Sequence, residues 1–120
     1  MPQEMSLNAS TVARILLVVA DPLKSAEWYR ATLGIEPLHV RTDPPHVILD
    51  TKGTLLVLHR GRAARCEDPV YVHFRVDDFD AALATLEARG VELGEVFSPG
   101  EGLRIVNFPD PDGYMLGIEG

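Results

Sequence analysis

The chain has 120 residues, of which 46% are hydrophobic and 24% are charged, and its formal net charge is −7 at pH 7. This length and composition are those of one globular domain, and no apolar run approaches the roughly 20 residues that span a bilayer, so we expect no membrane partner. An acidic chain is poorly suited to binding a phosphate backbone, so we expect no nucleic-acid partner either.

The N-terminal residues 1–13, "MPQEMSLNASTVA", lack the basic start and the apolar stretch of a signal peptide. We therefore expect an N-terminal arm on a cytoplasmic protein. The single cysteine, Cys66, excludes an intrachain disulfide and any cysteine-cluster metal site. No histidine or asparagine pattern supports Cys66 as a nucleophile.

The first half of the chain begins with a run of branched apolar residues, "ILLVV", which predicts a buried strand. A helix is predicted to follow, with Asp21 as its N-cap, proline at its first position and Gly34 at its end. Trp28 and Tyr29 on this helix are expected to pack in the core. Strands are then predicted over 37–41, 46–50 and 54–60.

The second half repeats this pattern. A strand, "VYVHFRV", leads into a helix that is predicted to begin after Asp78 and to end at Gly90, and strands are predicted over 91–97, 103–108 and 114–119. We expect an α+β fold in one domain over 14–120. It consists of two βαβββ modules whose mixed sheets form a curved cup, with the helices outside and a cavity within. Module one is 14–60, the linker is 61–69, and module two is 70–120.

Three segments in this order, "VVADPLKSAEWYRATLGIE", "FRVDDFDAALATLEARGVE" and "FPDPDGYMLGIE", are similar to the vicinal oxygen chelate superfamily. This superfamily includes glyoxalase I, extradiol dioxygenases, fosfomycin-resistance enzymes and bleomycin-resistance proteins. The resemblance covers residues 14 to 119 and implies the cup, a small-molecule ligand, and a homodimer whose cavity commonly lies between protomers.

Metal enzymes of this superfamily carry one ligand on the first and last strand of each module. The positions that match are Arg14, Val57, Tyr71 and Gly117, and none of them offers a suitable donor atom. The resemblance therefore implies no metal cofactor at the expected register. Two residues further on, the same strand faces carry His59, His73 and Glu119, a set suited to Zn²⁺, Ni²⁺, Mn²⁺ or Fe²⁺. This shifted divalent-metal site is the alternative.

Strand alternation predicts which side chains face the cup, and this set has the apolar floor and few polar groups of a small-molecule site. The expected ligand-binding residues are Arg14, Val57, His59, Tyr71, His73, Arg75, Met115, Gly117 and Glu119. Gly117 either enlarges the space between strands or accommodates packing. Arg14 and Arg75 are able to bind a carboxylate or phosphate, but we expect them to pair with Glu119 or an aspartate. We expect His39 and His46 at the surface or at a sheet edge.

Two classes of function follow. The first is a metal-free binding protein that sequesters a small planar or aromatic molecule. The second is a lyase, isomerase or dioxygenase that uses the shifted metal site or, without metal, His73 and Glu119 as a general acid-base pair. The missing ligands at the expected register favour the first class, and the histidines with Glu119 keep the second open.

Overall fold

The first half of the chain folds as a strand, a helix and three further strands. The computed structural model describes residues 12–61, 70–100 and 102–120. Its elements are β1 (Arg14–Val19), α1 (Pro22–Trp28) with a π-helical continuation (Tyr29–Leu33), β2 (Pro37–Thr42), β3 (Pro45–Leu49) and β4 (Leu55–Arg60). Most of the predicted arm and linker, including Cys66, lies outside the described residues.

The second half repeats this order. Its elements are β5 (Val72–Arg75), α2 (Phe79–Ala88), β6 (Phe97–Gly100), β7 (Leu103–Pro109) and β8 (Met115–Glu119). The predicted α+β fold with two βαβββ units is therefore confirmed. The predicted strand over 91–97 is wrong, because Val91 and Leu93 pack against the core and the strand β6 begins only at Phe97.

Each half forms its own mixed four-stranded sheet. The strand order is β1-β4-β3-β2 in the first sheet and β5-β8-β7-β6 in the second. The first and last strands of each half are parallel neighbours, and the remaining pairs are antiparallel. Both sheets therefore have the same topology, as the sequence repeat predicts.

The helix ends follow the predicted capping residues. The side chain of Asp21 accepts a hydrogen bond from the Lys24 backbone N–H at 3.2 Å, and Asp78 does the same for Ala81 at 3.0 Å. Each helical segment is followed by a glycine with positive φ, Gly34 at 72° and Gly90 at 75°. Side chains with a Cβ rarely adopt this conformation, so these glycines end the helices.

One hydrophobic core joins the two halves. Tyr29 is fully buried, as expected, and Trp28 packs against the same core. The buried residues of this cluster come from both sheets and both helices: Leu17, Val19, Ala26, Tyr29, Val47, Leu49, Leu56, Leu58, Phe79, Leu86, Val106, Phe108, Leu116 and Ile118. Because these side chains alternate along the strands, the helices cover one face of each sheet.

The opposite face of each sheet is named here the open face. Its strand residues include Arg14, Leu16, Val18, His39, Arg41, His46, Ile48, Leu55, Val57, His59, His73, Arg75, Phe97, Leu103, Ile105, Asn107, Pro109, Met115, Gly117 and Glu119. Within the described parts of the chain, no helix has the length and apolar character needed to cross a membrane.

Candidate functional site

The polar residues of the second sheet converge on His73. Its Nδ1 atom lies 3.1 Å from Glu119 Oε1, and its Nε2 atom lies 2.8 Å from Asn107 Oδ1. These residues come from the neighbouring strands β5, β8 and β7, on the open face. Their side chains meet because His73 and Asn107 are both register partners of Gly117, the β8 residue between them. His73, Asn107 and Glu119 are named here the His73 cluster.

Gly117 is what allows the His73 cluster to form. A Cβ atom at this position would lie 2.6 Å from Asn107 Oδ1 and 2.6 Å from His73 Cδ2, closer than real Cβ contacts. The side chains of the two flanking strands therefore occupy the space that a side chain at 117 would fill. Of the two predicted roles for Gly117, the geometry supports the packing role.

The hydrogen bonds of the His73 cluster hold the imidazole ring from both sides. An oxygen atom faces each ring nitrogen, and this arrangement allows a ring with a proton on both nitrogens to donate two hydrogen bonds. If the Asn107 amide is turned so that its NH₂ group faces the ring, Nε2 of a neutral ring is able to accept a hydrogen bond instead. The Glu119 carboxylate holds the ring in orientation through Nδ1. The side chains of His73 and Glu119 are 24% and 25% exposed. The pair is therefore sheltered and still accessible to a ligand.

The other three histidines lie together on the first sheet. The His59 ring is stacked on His46 with 6.4 Å between centroids, and the His46 and His39 rings are 5.6 Å apart. His59 Nδ1 lies 3.0 Å from the Arg60 carbonyl oxygen. His39 is on the edge strand β2, as expected. The ring next to His59 is therefore that of His46, on the first sheet. The ring next to His73 is that of Tyr71, with 6.3 Å between the centroids.

We tested the shifted metal set against this geometry. His73 and Glu119 are brought together, but their facing atoms bond to each other. Among the described residues, no group of three or more histidine, cysteine, aspartate or glutamate side chains is arranged to hold a metal ion. The described side chains therefore do not form a ready ligand set for a metal ion.

The expected pairing of Arg14 or Arg75 with Glu119 is wrong. Arg75 is the register partner of Glu119, but the Glu119 carboxylate turns to His73 instead. Among the described residues, neither arginine has an ion pair, and both are exposed. Their guanidinium groups are therefore available to a ligand.

A cavity of about 430 Å³ lies where β1 and β4 begin and β5 runs beside them. Of the predicted ligand-binding residues, Tyr71, His73 and Arg75 line it, together with Leu55 and Thr54. Arg75 also lines a second cavity of about 360 Å³ near the end of α2. The larger cavity has the size of a small-molecule site.

The remaining predicted residues do not line this cavity. Val57 is buried at 4% exposure, and Met115 and Gly117 lie on β8, the next strand after β5 in the second sheet. The residue that sequence reasoning missed is Asn107. The alternation of "LRIVNFP" places it on the open face with Ile105, which is the signal that was available.

Comparison with known proteins supports this fold. The family model of the Glyoxalase/Bleomycin resistance protein/Dioxygenase superfamily matches residues 11–118. Among curated proteins, none matches the chain.

Several solved structures are similar over nearly the whole chain. TnmS3, an antibiotic binding protein from Streptomyces sp. CB03234, is 26% identical, with a TM-score of 0.77 over 94% of this chain and 97% of that one. A glyoxalase/dioxygenase from Nostoc punctiforme is 22% identical, with a TM-score of 0.75 over 99% and 97%. The E126Q mutant of the fosfomycin resistance protein FosX from Listeria monocytogenes, complexed with Mn(II) and 1S,2S-dihydroxypropylphosphonic acid, is 18% identical, with a TM-score of 0.71 over 91% and 88%. The resemblance found in the sequence is thus confirmed, and the chain belongs to the Glyoxalase/Bleomycin resistance protein/Dioxygenase superfamily.

Proposed function

We propose that this protein binds a small organic molecule at the open face, in a cup that uses no metal ion. The observation that carries the proposal is the His73 cluster, an oriented polar group beside the 430 Å³ cavity. Polar groups held by neighbouring strands bind a ligand without first having to be ordered, which lowers the entropic cost of binding. The residues at the positions where the resemblance implies metal ligands also support a metal-free cup. These residues offer no suitable donor atom, and they are Arg14, Val57, Tyr71 and Gly117.

Apolar side chains of the two sheets supply the rest of the site. Leu16 is 53% exposed and Tyr71 is 48% exposed, although both are large hydrophobic residues. Such surface suits a planar or aromatic ligand, and TnmS3, whose fold is similar, is an antibiotic binding protein. The same exposed surface favours completion of the cup by a second copy of the chain in a homodimer.

Acid-base catalysis is the second candidate, and the bond between His73 and Glu119 is the observation that favours it. A ligand that displaces the Asn107 amide would meet Nε2 directly. His73 would then transfer a proton at Nε2, while Glu119 keeps the ring oriented. Isomerisation or elimination on a bound ligand is chemistry that this pair is able to perform.

The test is a screen of aromatic compounds by thermal unfolding, followed by NMR of the histidine ring protons. We expect a stabilising compound to shift the His73 resonances and to lose most of its stabilising effect with His73→Gln. His39→Gln, on the other sheet, is the matched control and should keep the effect. A compound that binds equally well to both variants and leaves His73 unperturbed would refute the proposed site.

The metal-free part of the proposal has its own measurement. Protein purified without an affinity tag is analysed for metal content, then melted with and without Zn²⁺, Ni²⁺, Mn²⁺ and Fe²⁺. We expect no stoichiometric metal and no increase in Tm that depends on His73. A stabilising ion whose effect disappears in His73→Ala would instead favour the metal-dependent enzyme.

A further inference from the structure

The strands of this acidic protein carry mostly positive charge. The whole chain has 11 lysine and arginine residues against 18 aspartate and glutamate residues. Within the eight described strands, the only acidic residue is Glu119. The strands also carry five arginines, which are Arg14, Arg41, Arg60, Arg75 and Arg104. The described strands therefore carry a net positive charge, although the whole chain has a net negative charge.

The open face receives most of this positive charge. Arg14, Arg41 and Arg75 lie on it, as do all four histidines of the chain. Arg104 points to the helix side instead, where its guanidinium lies 4.6 Å from the Phe79 ring centroid and 2.8 Å from Asp80 Oδ1. The one acidic group of the open face, Glu119, is already bonded to His73.

Two of these arginines lie at the proposed site. Arg75 lines the 430 Å³ cavity beside His73, and Arg14 is the register partner of Leu55, another lining residue on the open face. Both guanidinium groups lack an ion pair with any described residue. A free guanidinium presents a planar set of donors that matches a carboxylate or a phosphate group in bidentate geometry.

We infer that the ligand of this site is an organic anion, in which a carboxylate or a phosphate or phosphonate group is joined to an apolar, aromatic body. This inference rests on the proposed binding function and adds the charge of the ligand to it. Arg14 and Arg75 bind the anionic group, and the apolar residues of the open face, such as Leu16, contact the body. A cationic ligand would meet the positive charge of Arg14 and Arg75, while Glu119, the acidic residue among the described strands, is already bonded to His73.

The test uses four probes that share one aromatic body: 2-naphthoate, 2-naphthyl phosphate, 2-naphthylmethanol and 2-naphthylmethylamine. Each is titrated into the full-length protein at low and high salt, and binding is followed by NMR. We expect at least one anion to bind about tenfold more tightly than the alcohol, as one charge-assisted contact would give, with the difference reduced at high salt. The two anions distinguish a carboxylate site from a phosphate site.

Matched variants assign the effect to the two arginines. Arg14→Gln and Arg75→Gln should bring the affinity for the anion to within a few-fold of the affinity for the alcohol. Arg104→Gln removes the same charge from the helix side and should leave the preference for the anion intact.

If the alcohol or amine shifts His73 as strongly as the anions at equal or higher affinity, the proposed binding site stands and the anion inference is overturned. If the anion preference is lost equally in Arg104→Gln, the assignment to Arg14 and Arg75 is overturned. If none of the probes binds at the open face, the proposed function fails for this class of ligand, and the inference fails with it.

Discussion

At the scale of single residues, the site depends on a missing side chain. Gly117 lies between His73 and Asn107 on three adjacent strands, and the hydrogen bond between these two residues passes over it. Glu119, two residues further along β8, then reaches the other ring nitrogen. The glycine thus determines the position of the imidazole by leaving room for it.

Gly117→Ala tests this role. The new methyl group would lie 2.6 Å from both Asn107 Oδ1 and His73 Cδ2, so one of these side chains has to turn away. We expect the free energy of unfolding to fall by about 1 kcal/mol, the usual net value of one hydrogen bond, as measured by urea unfolding. The loss should be smaller when Asn107 is already alanine. Gly53→Ala is the control, since a Cβ atom at that position would have no other atom within 4 Å; equal losses in the two variants would contradict the account.

At the scale of elements, the strand β1 lies at the edge of its sheet and is covered by the other half of the chain. The hydroxyl group of Tyr114 accepts a hydrogen bond from the Val18 N–H at 3.1 Å and donates one to the Val18 carbonyl oxygen at 2.7 Å. One side chain thus satisfies both backbone groups of an edge residue. This contact prevents further strand pairing at that point.

Tyr114→Phe removes this cover and keeps the ring. Both Val18 backbone groups then lose their partner, and we expect a loss of about 1–3 kcal/mol in the free energy of unfolding. Hydrogen exchange at the Val18 amide should become faster than at the other β1 amides. Tyr71→Phe removes a hydroxyl from a ring that is 48% exposed and should change little. An unchanged rate of hydrogen exchange at the Val18 amide in Tyr114→Phe would show that the Tyr114 hydroxyl group does not protect this strand edge.

The elements were largely predictable, because alternation and capping residues are local signals. Asp21 and Asp78 begin their helices as predicted, since their side chains bond to backbone groups only three residues away. The contact between His73 and Glu119 also followed the predicted strand faces. The choice of His73 over Arg75 as the partner of Glu119 was not predictable, because both residues lie on strand β5 beside Glu119 and the sequence does not determine the rotamer of the carboxylate. Asn107 was missed because β7 was left out of the set of cup-facing strands.

At the scale of the whole molecule, a buried carboxylate ties the two halves together. Asp110 is 5% exposed, accepts a hydrogen bond of 2.6 Å from the Tyr29 hydroxyl group, and accepts two more from the backbone N–H groups of Asp112 and Tyr114. Burial raises the pKa of the Asp110 carboxyl, although these hydrogen bonds oppose the increase. The same burial and the nearby Asp110 charge raise the pKa of Tyr29.

This raised pKa gives the stability of the whole protein a pH dependence. The folded state holds the Asp110 proton more tightly than the unfolded chain, whose carboxyl has an ordinary pKa of about 3.9. Its contribution to the free energy of unfolding therefore falls as pH increases from this value through the raised pKa of the folded state. Asp110→Asn should remove this fall, as measured by urea unfolding across acidic pH.

Asp80 provides a control of opposite sign. Hydrogen bonding with Arg104 lowers the pKa of the Asp80 carboxyl, so its contribution to stability is lost as pH falls through the lowered value. Asp80→Asn should therefore lower the free energy of unfolding at neutral pH and leave it unchanged in strong acid. A pH profile that Asp110→Asn leaves unchanged would mean that the buried carboxyl does not titrate differently on folding.

The glycine in β8 also constrains how this cup is able to evolve. The family resemblance implies that position 117 is where metal enzymes of this superfamily carry a ligand. A glutamate placed there in this chain would collide with His73 and Asn107 before it could bind anything. A metal site that uses position 117 therefore requires the side chains of Asn107 and His73 to move away, and both changes dismantle the present cluster. The His73 cluster and a metal ligand at position 117 are mutually exclusive uses of the same space.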